Sequence, residues 1–389
     1  MVRRQVPQRR WSINGRFLTQ SVTGVQRYAY EIVRALDTHM QQGHSLSGDI
    51  GLELLVPSGA EMPALQAISC RRVGQLKGHL WEQTTLSQVP GGLISLCNTG
   101  PVFHRKHIVC IHDVNTRAYP ASYTRGFRAF YGVLQPLIGR RAIAVATVSA
   151  YSASELVHHG ICADDKVVVI PNGHEHAERW TPRHSPKTLA VAGRDTVVVI
   201  GTPAPHKNVA LLVGIADRLK TVGLQIAVVG VRDPRVYGIG SADADADNVT
   251  WLGRLSDNEM AALLRDSLCL AFPSFVEGFG LPPLEAMALG CAVVVSDRAS
   301  LPEICGDAAL YASPTRADDW VECLARLHAD DALRSTLCQR GLARAQLFKW
   351  RDSAERYLIA MARADGIGSA RYARTADGRH DLTVSPALS

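Results

Sequence analysis

The 389-residue chain lacks the features that would place it in several large protein classes. Its nine cysteines (Cys70, Cys97, Cys110, Cys162, Cys269, Cys291, Cys305, Cys323 and Cys338) are odd in number, scattered and never spaced as C-x2-C. That argues against a disulfide framework and a cysteine zinc site, and fits a reducing compartment. No stretch approaches the roughly 18 consecutive apolar residues of a membrane span. The basic N-terminus, Met1 to Gln20, has no apolar run long enough for a signal peptide. Repeat arrays and low-complexity tracts are absent as well. A nicotinamide dehydrogenase would need G-x-G-x-x-G between its first strand and helix, and Gly238-Ile239-Gly240 is neither placed nor completed that way. No D-x-D-like acidic pair sits at a strand end, since the Asp-Ala-Asp repeats at 243–247 fall in a predicted loop. No catalytic metal and no cofactor are therefore expected.

What is present describes a globular chain: 47% of residues are hydrophobic and 20% charged. The length exceeds what one hydrophobic core usually serves, so two domains are expected. The net charge of +6 is uneven. Up to residue 175 there are 18 Lys and Arg against 11 Asp and Glu, whereas the remainder has 24 against 25. The excess includes Arg3, Arg4, Arg9, Arg10, Arg105, Lys106, Arg117, Arg125, Arg128, Arg140 and Arg141. Such a half could meet anionic lipid, a diphosphate-bearing acceptor or nucleic acid, or could be a solvated basic face.

Short β-branched runs alternate with stretches of helical period, the pattern of βαβ units and parallel sheets. Strands are expected at 52–56, 93–96, 107–111, 142–147 and 167–170, with helices at 26–36 and 122–138. In the second half strands are expected at 196–200, 225–229, 249–252, 268–272 and 292–296. Helices fill 208–222, 257–265, 283–289 and 317–347. The polar segment 174–194, interrupted by Pro182 and Pro186, marks the domain boundary. A last helical period runs over 348–364, and 366–389 has the composition of a disordered tail. The expected class is α/β with two Rossmann-like, doubly wound domains: 1–180, joined by the helix at 348–364, and 190–347. Open parallel sheets bind ligands beyond the carboxyl ends of their strands, so function is expected in the strand-to-helix loops of two domains facing across a cleft.

The most informative loop runs from Phe272 to Gly290 (FPSFVEGFGLPPLEAMALG), after a buried strand and into a helix. Gly278 and Gly280 let backbone approach a ligand closely. Pro283 suits the first helical turn, and the helix N-terminus favours an anion such as phosphate. Glu277 and Glu285 flank this turn, and a carboxylate can accept hydrogen bonds from two vicinal hydroxyls, as on a sugar or ribose. Alone, Glu285 could equally be a helix-dipole carboxylate and Glu277 a surface acid. Lys207, in the Gly201–Asn208 loop, could be a solvated lysine or the cation that meets a diphosphate.

These residues resemble the retaining glycosyltransferases of the GT-B fold, family 4. The E-x7-E block of Glu277 and Glu285 is the most specific part. The likeness continues through Ser296, Leu301-Pro302-Glu303 and Gly306-Asp307-Ala308-Ala309. Upstream it includes Ile170-Pro171-Asn172-Gly173, Thr147-Val148-Ser149, Ile111-His112-Asp113 and Thr23-Gly24-Val25-Gln26. It spans about residues 11–358, and Phe348-Lys349-Trp350 resembles the helix that crosses back to the first domain.

The resemblance implies that Glu285 holds the donor's ribose hydroxyls and Glu277 the sugar hydroxyls. Gly278, Phe279, Gly280 and Leu281 would meet sugar and phosphate, and Lys207 would neutralise the diphosphate. Thr202 stands where many relatives carry an arginine, so His206 or Arg254 could assist Lys207. Gly24 would bring backbone amides to the phosphate or acceptor, or be a turn glycine. His112 would sit near the reacting carbon, with Asp113 orienting it or binding acceptor. Asn172, with Gly173, would shape the hinge side of the cleft and bind acceptor, and Ser149 could cap a helix or touch ligand. Catalysis would rest on His112, Lys207 and Glu277.

The implied reaction is retaining hexosyl transfer from a nucleotide-sugar, GDP-mannose before UDP-glucose, to a glycan or lipid-linked acceptor in surface polysaccharide synthesis. An epimerase or hydrolase of the same fold, or a catalytically silent sugar-nucleotide-binding subunit, would share the motifs. The enzyme is expected in the cytoplasm, at most peripheral on the inner face of the cytoplasmic membrane through its basic half, with no nucleic-acid partner.

Overall fold

A computed structural model describes residues 9–201, 204–231 and 246–367. Arg3, Arg4, Thr202, Arg232, Gly238, Gly240, residues 243–245 and the tail beyond 367 lie outside these residues. The described chain forms two units, 9–114 with 125–172 and 349–367, and 115–124 with 173–348.

The first unit carries β1 (Arg9–Asn14), β2 (Ile50–Val56), β3 (Ser69–Arg72), β4 (Gly92–Ser95), β5 (His107–Cys110), β6 (Ala144–Thr147) and β7 (Val167–Val169). They lie in the order β3-β2-β1-β4-β5-β6-β7, all parallel. The second unit carries β8 (Thr196–Ile200), β9 (Gln225–Val229), β10 (Val249–Gly253), β11 (Cys269–Phe272), β12 (Ala292–Ser296) and β13 (Ala309–Ala312). Their order is β10-β9-β8-β11-β12-β13, again all parallel. Strands buried on both faces need continuous apolar sequence, which is why β8 reads Thr-Val-Val-Val-Ile and β12 Ala-Val-Val-Val-Ser. Strand order reverses at β1/β4 and at β8/β11, the points where doubly wound sheets open a crevice for ligand.

Three strands leave little trace in the sequence. β1 opens with two arginines, yet it lies in mid-sheet between β2 and β4. Arg9 is buried there because Asp365 and Asp49 accept from its guanidinium. β3 is a polar edge strand, Ser-Cys-Arg-Arg, and β13 is short. Two expected helices divide. Residues 208–222 form Val209–Val213 and Ala216–Thr221, and 317–347 form Ala317–Ala329 and Asp331–Ala345. The second break is made by Asp330, whose carboxylate accepts from the Leu333 amide at 2.8 Å and caps the next helix.

The Trp350–Ala364 helix belongs to the first unit, where it packs on the Gly24–Gln41 helix. The Tyr28 and Tyr357 hydroxyls meet at 3.0 Å between them. Asp365, just past this helix, accepts from Arg9, Lys106 and the Trp11 indole. Burial opposes the charge, but these three donors hold its carboxyl below the usual range. No helix among the described residues is long and apolar enough to cross a membrane.

Asp365 therefore anchors the last helix to the start of β1. Asp365→Ala leaves Arg9 buried beside only Asp49 and the Leu46 carbonyl, and is expected to destabilise the protein by about 3 kcal/mol in urea unfolding. A change within error would show that the helix is held by its apolar face alone.

Candidate active site

The site grows from the reversal between β8 and β11. Val199 lies opposite Ala271 in register, so the loops after Ile200 and Phe272 leave the sheet side by side. Three contacts tie them. The Phe275 amide donates to the His206 carbonyl at 2.8 Å, and the Asn208 amide group donates to the carbonyls of Pro273 and Pro314 at 3.1 and 2.8 Å. Asn208 has φ +54°, a left-handed conformation that asparagine tolerates better than most residues. The third contact is ionic: Lys207 Nζ donates to Glu277 Oε1 at 2.7 Å, with the ammonium 5.5 Å above the Phe272 ring centroid. Two residues 70 positions apart are thus brought together over the carboxyl ends of neighbouring strands.

Past Glu277 the chain turns through Gly278, Phe279 and Gly280 into the Leu281–Ala288 helix. Gly280 has φ +102°, and a Cβ there would come within 2.7 Å of Leu301 Cδ2. The buried Ser300 hydroxyl lies 3.0 and 2.8 Å from the carbonyls of Glu277 and Phe279, and Ser296 Oγ donates to the Ser274 carbonyl at 2.6 Å. These hydroxyls satisfy turn carbonyls that no sheet ladder reaches. Because Pro282 and Pro283 carry no N–H, the amides this terminus can offer an anion are those of the turn and of Leu281. The Ser274 hydroxyl, buried at the base of the turn, has no hydrogen-bond partner among the described residues.

Glu285 faces a partner that sequence spacing does not suggest. His176, on the short Glu175–Glu178 helix, sets Nε2 2.8 Å from Glu285 Oε1 and is itself buried, edge-on to Trp180. Both Glu277 and Glu285 are largely buried.

The segment 115–124 adds a strap to this unit. Tyr119 stacks on Phe275 at 5.5 Å, Tyr123 lies parallel to His206 at 6.2 Å, and Ser122 Oγ accepts from the His206 amide and lies 2.9 Å from its Nδ1. Burial, then the neighbouring Lys207, push the His206 pKa down to about 4. His206 is therefore neutral near pH 7 and adds no positive charge beside Lys207. Arg254, the other expected helper, is exposed after edge strand β10, which β9 separates from β8.

The remaining predicted residues belong to the first unit. His112 follows β5 and is buried edge-on to Tyr28 at 4.8 Å. Its Nε2 lies 2.8 Å from the Leu96 carbonyl, which can only accept, so Nε2 carries a proton. Burial opposes a charged ring, but Cys110 and the Leu96 carbonyl hold its pKa above the ordinary histidine value. Asp113 is half-buried. Asn172 Oδ1 is buried without a hydrogen-bond partner among the described residues. Gly24 is exposed as the first residue of its helix after β1, and Ser149 Oγ accepts from the Ser152 amide as an N-cap. The residues that sequence reasoning missed are His176, Asn208, Ser300 and Ser122; each acts through a partner distant in sequence.

Two outcomes follow from this geometry. Gly280→Ala is expected to cost about 1–3 kcal/mol in denaturant unfolding, from the positive φ and the Leu301 contact; an unchanged midpoint would mean that the turn re-forms around the methyl group. For His206, the folded pKa lies below the unfolded value, so as pH falls from about 6.5 to 4 the unfolded chain takes up the proton first and stability is lost. His206→Gln should make the fall of Tm across that window shallower. An unaltered slope would show that His206 titrates normally.

Residues 181–344 match the family described as glycosyl transferases group 1. O-antigen chain mannosyltransferase B of Escherichia coli is 30% identical over 271 residues, covering 65% of this chain and 70% of that protein. MMP alpha-(1->4)-mannosyltransferase of Mycolicibacterium hassiacum is 28% identical over 321 residues, 78% of this chain and 76% of that protein. Sucrose-phosphate synthase from Thermosynechococcus elongatus superimposes with a TM-score of 0.68 over 93% of this chain and 100% of that one, at 16% identity. The architecture is accordingly GT-B, as the motifs imply, and the chain belongs to the group 1 glycosyl transferases.

Proposed function

We propose that this glycosyltransferase moves mannose from GDP-mannose, with retention, to a hydroxyl of a glycan or lipid-linked acceptor in surface polysaccharide synthesis. The observation that carries the reading is the Lys207–Glu277 pair above the β8/β11 reversal, with the glycine turn and Glu285 beside it. The choice of mannose is supported by two relatives named as mannosyltransferases.

Without donor, each member of the pair satisfies the other. An arriving diphosphate competes for the Lys207 ammonium and leaves Glu277 to accept from sugar hydroxyls. Glu285, steadied by His176, accepts from the ribose. The C1–phosphate bond then breaks as the acceptor oxygen bonds C1 on the same face, and the departing phosphate oxygen takes the acceptor proton. Lys207 stabilises the charge as it develops, which is where a fixed cation is most effective. Holding both substrates in reacting geometry supplies roughly 7–11 kcal/mol in well-oriented cases. Glu277 and Glu285 serve as hydroxyl ligands in this scheme, so neither is required as a nucleophile. Lys207, rather than a divalent cation, meets the leaving group. Asp113 and Asn172 serve the acceptor, the latter through its unsatisfied carbonyl oxygen. The reaction takes place in the cytoplasm, at the membrane face when the acceptor is lipid-linked.

GDP-mannose should stabilise the parent in a thermal-shift series more than UDP-glucose or dTDP-sugars. Lys207→Ala should lower kcat by roughly 10²–10³, and Glu285→Ala should chiefly weaken donor binding. Full turnover by folded Lys207→Ala would overturn the scheme. So would a product whose anomeric configuration, read by NMR, is inverted relative to the donor, or sugar consumption that ignores added acceptor.

A further inference from the structure

The Arg125–Arg141 helix of the first unit buries Leu134, Gln135, Ile138 and Gly139, yet leaves Phe127 and Phe130 exposed at 42% and 41%. Exposed aromatic rings grouped in one place mark binding sites more often than they decorate a surface. Here the rings are ordered against one another. Phe127 stacks on Tyr131 with centroids 4.3 Å apart, Phe130 meets Tyr131 edge-on at 5.4 Å, and the His79 ring lies 4.7 Å from Phe130.

His79 links this group to a polar network beneath it. Its Nδ1 lies 2.9 Å from Glu82 Oε2, and Glu82 is fully buried. Glu82 also faces Arg16 Nε at 3.0 Å and accepts from Asn14 Nδ2 at 2.8 Å and from Thr99 Oγ1. Burial opposes its charge, but His79, Arg16 and Asn14 hold the carboxyl below the usual carboxylate range. Asn14 ends β1, Arg16 follows it, and Thr99 follows β4, so the network marks the carboxyl ends of the strands where the first sheet reverses. Arg16, Glu82 and Asp113 are all near enough to act on the Tyr131 phenol, which burial raises.

We propose that Phe127, Phe130, Tyr131 and His79 form a shelf that takes the apolar face of an acceptor pyranose, with Asp113 beside it accepting from the sugar's hydroxyls. The shelf deepens the glycosyl-transfer reading above and rests on it. Flat aromatic faces suit the C–H face of a sugar ring, and the Asp113 carboxylate suits its neutral hydroxyls. Arg16 does not reverse that preference, because Glu82 already neutralises it. A lipid surface would call instead on the aliphatic part of the same helix, Val133 and Leu137, together with Arg140 and Arg141.

The test uses the full chain and three probes: methyl α-D-mannopyranoside and methyl α-D-glucopyranoside by saturation-transfer NMR, GDP and UDP by calorimetry, and phosphatidylglycerol vesicles by co-sedimentation. The parent should show transfer to the ring C–H protons of at least one pyranoside. Phe127→Ala and Phe130→Ala should each weaken that binding by about five-fold, as expected for loss of one ring contact, with nucleotide affinity unchanged. Val133→Ser with Leu137→Ser should leave sugar binding as in the parent. Unaltered pyranoside binding in both phenylalanine variants overturns the shelf, as does a parent that binds nucleotide but neither pyranoside. Loss of vesicle binding with sugar binding retained would reassign the rings to the lipid surface. Failure of the parent to bind either nucleotide would instead overturn the donor reading on which the shelf rests.

Discussion

The ion pair between Lys207 and Glu277 is the constraint around which the second unit's site is arranged. Both side chains are largely withdrawn from water, at 22% and 10% exposure, so neither charge is well solvated alone. Removing two charges from water is costly, and a pair of this kind is weak evidence for stability. Its value lies in placement. It fixes a cation and an anion over adjacent strand ends at the one point of the sheet where loops on both sides diverge and leave room for a ligand. In the proposed reaction a diphosphate exchanges one anionic partner of Lys207 for another, so the ammonium need not be stripped of water at that moment.

The irregular backbone around the pair is held by side chains acting in place of a ladder. Ser296, Ser300 and Asn208 each satisfy carbonyls of the loop after β11, and Gly280 supplies a conformation that a β-carbon would strain. The strap at 115–124 adds Tyr119 and Ser122 from an earlier part of the chain. The first sheet repeats the theme at its own reversal. There Glu82, Arg16, Asn14 and Thr99 form a network whose charges are matched internally, and the groups left facing outward are aromatic rings. One reversal thus presents the Lys207–Glu277 ion pair, the other aromatic rings over an internally matched network.

The class of fold, most strands of both sheets and the glycine turn between Glu277 and Glu285 could be read from the sequence. The strands were legible because a parallel strand covered on both faces must be apolar throughout. The Glu277-to-Glu285 block was legible because strand, glycine turn, proline and helix follow one another within a few residues, so their chemistry is local. Tertiary structure alone decided the rest, because the decisive partners are far apart along the chain. Nothing near Glu285 announces His176, 109 positions earlier, and nothing near His206 announces Ser122. β1 reads as a basic surface segment until Asp365, from the other end of the chain, buries Arg9 in mid-sheet. His206, a candidate cation on paper, becomes neutral only because folding removes it from water and sets Lys207 beside it. Charge state and partnership are properties of an environment, and a single strand of sequence specifies that environment only once it has folded.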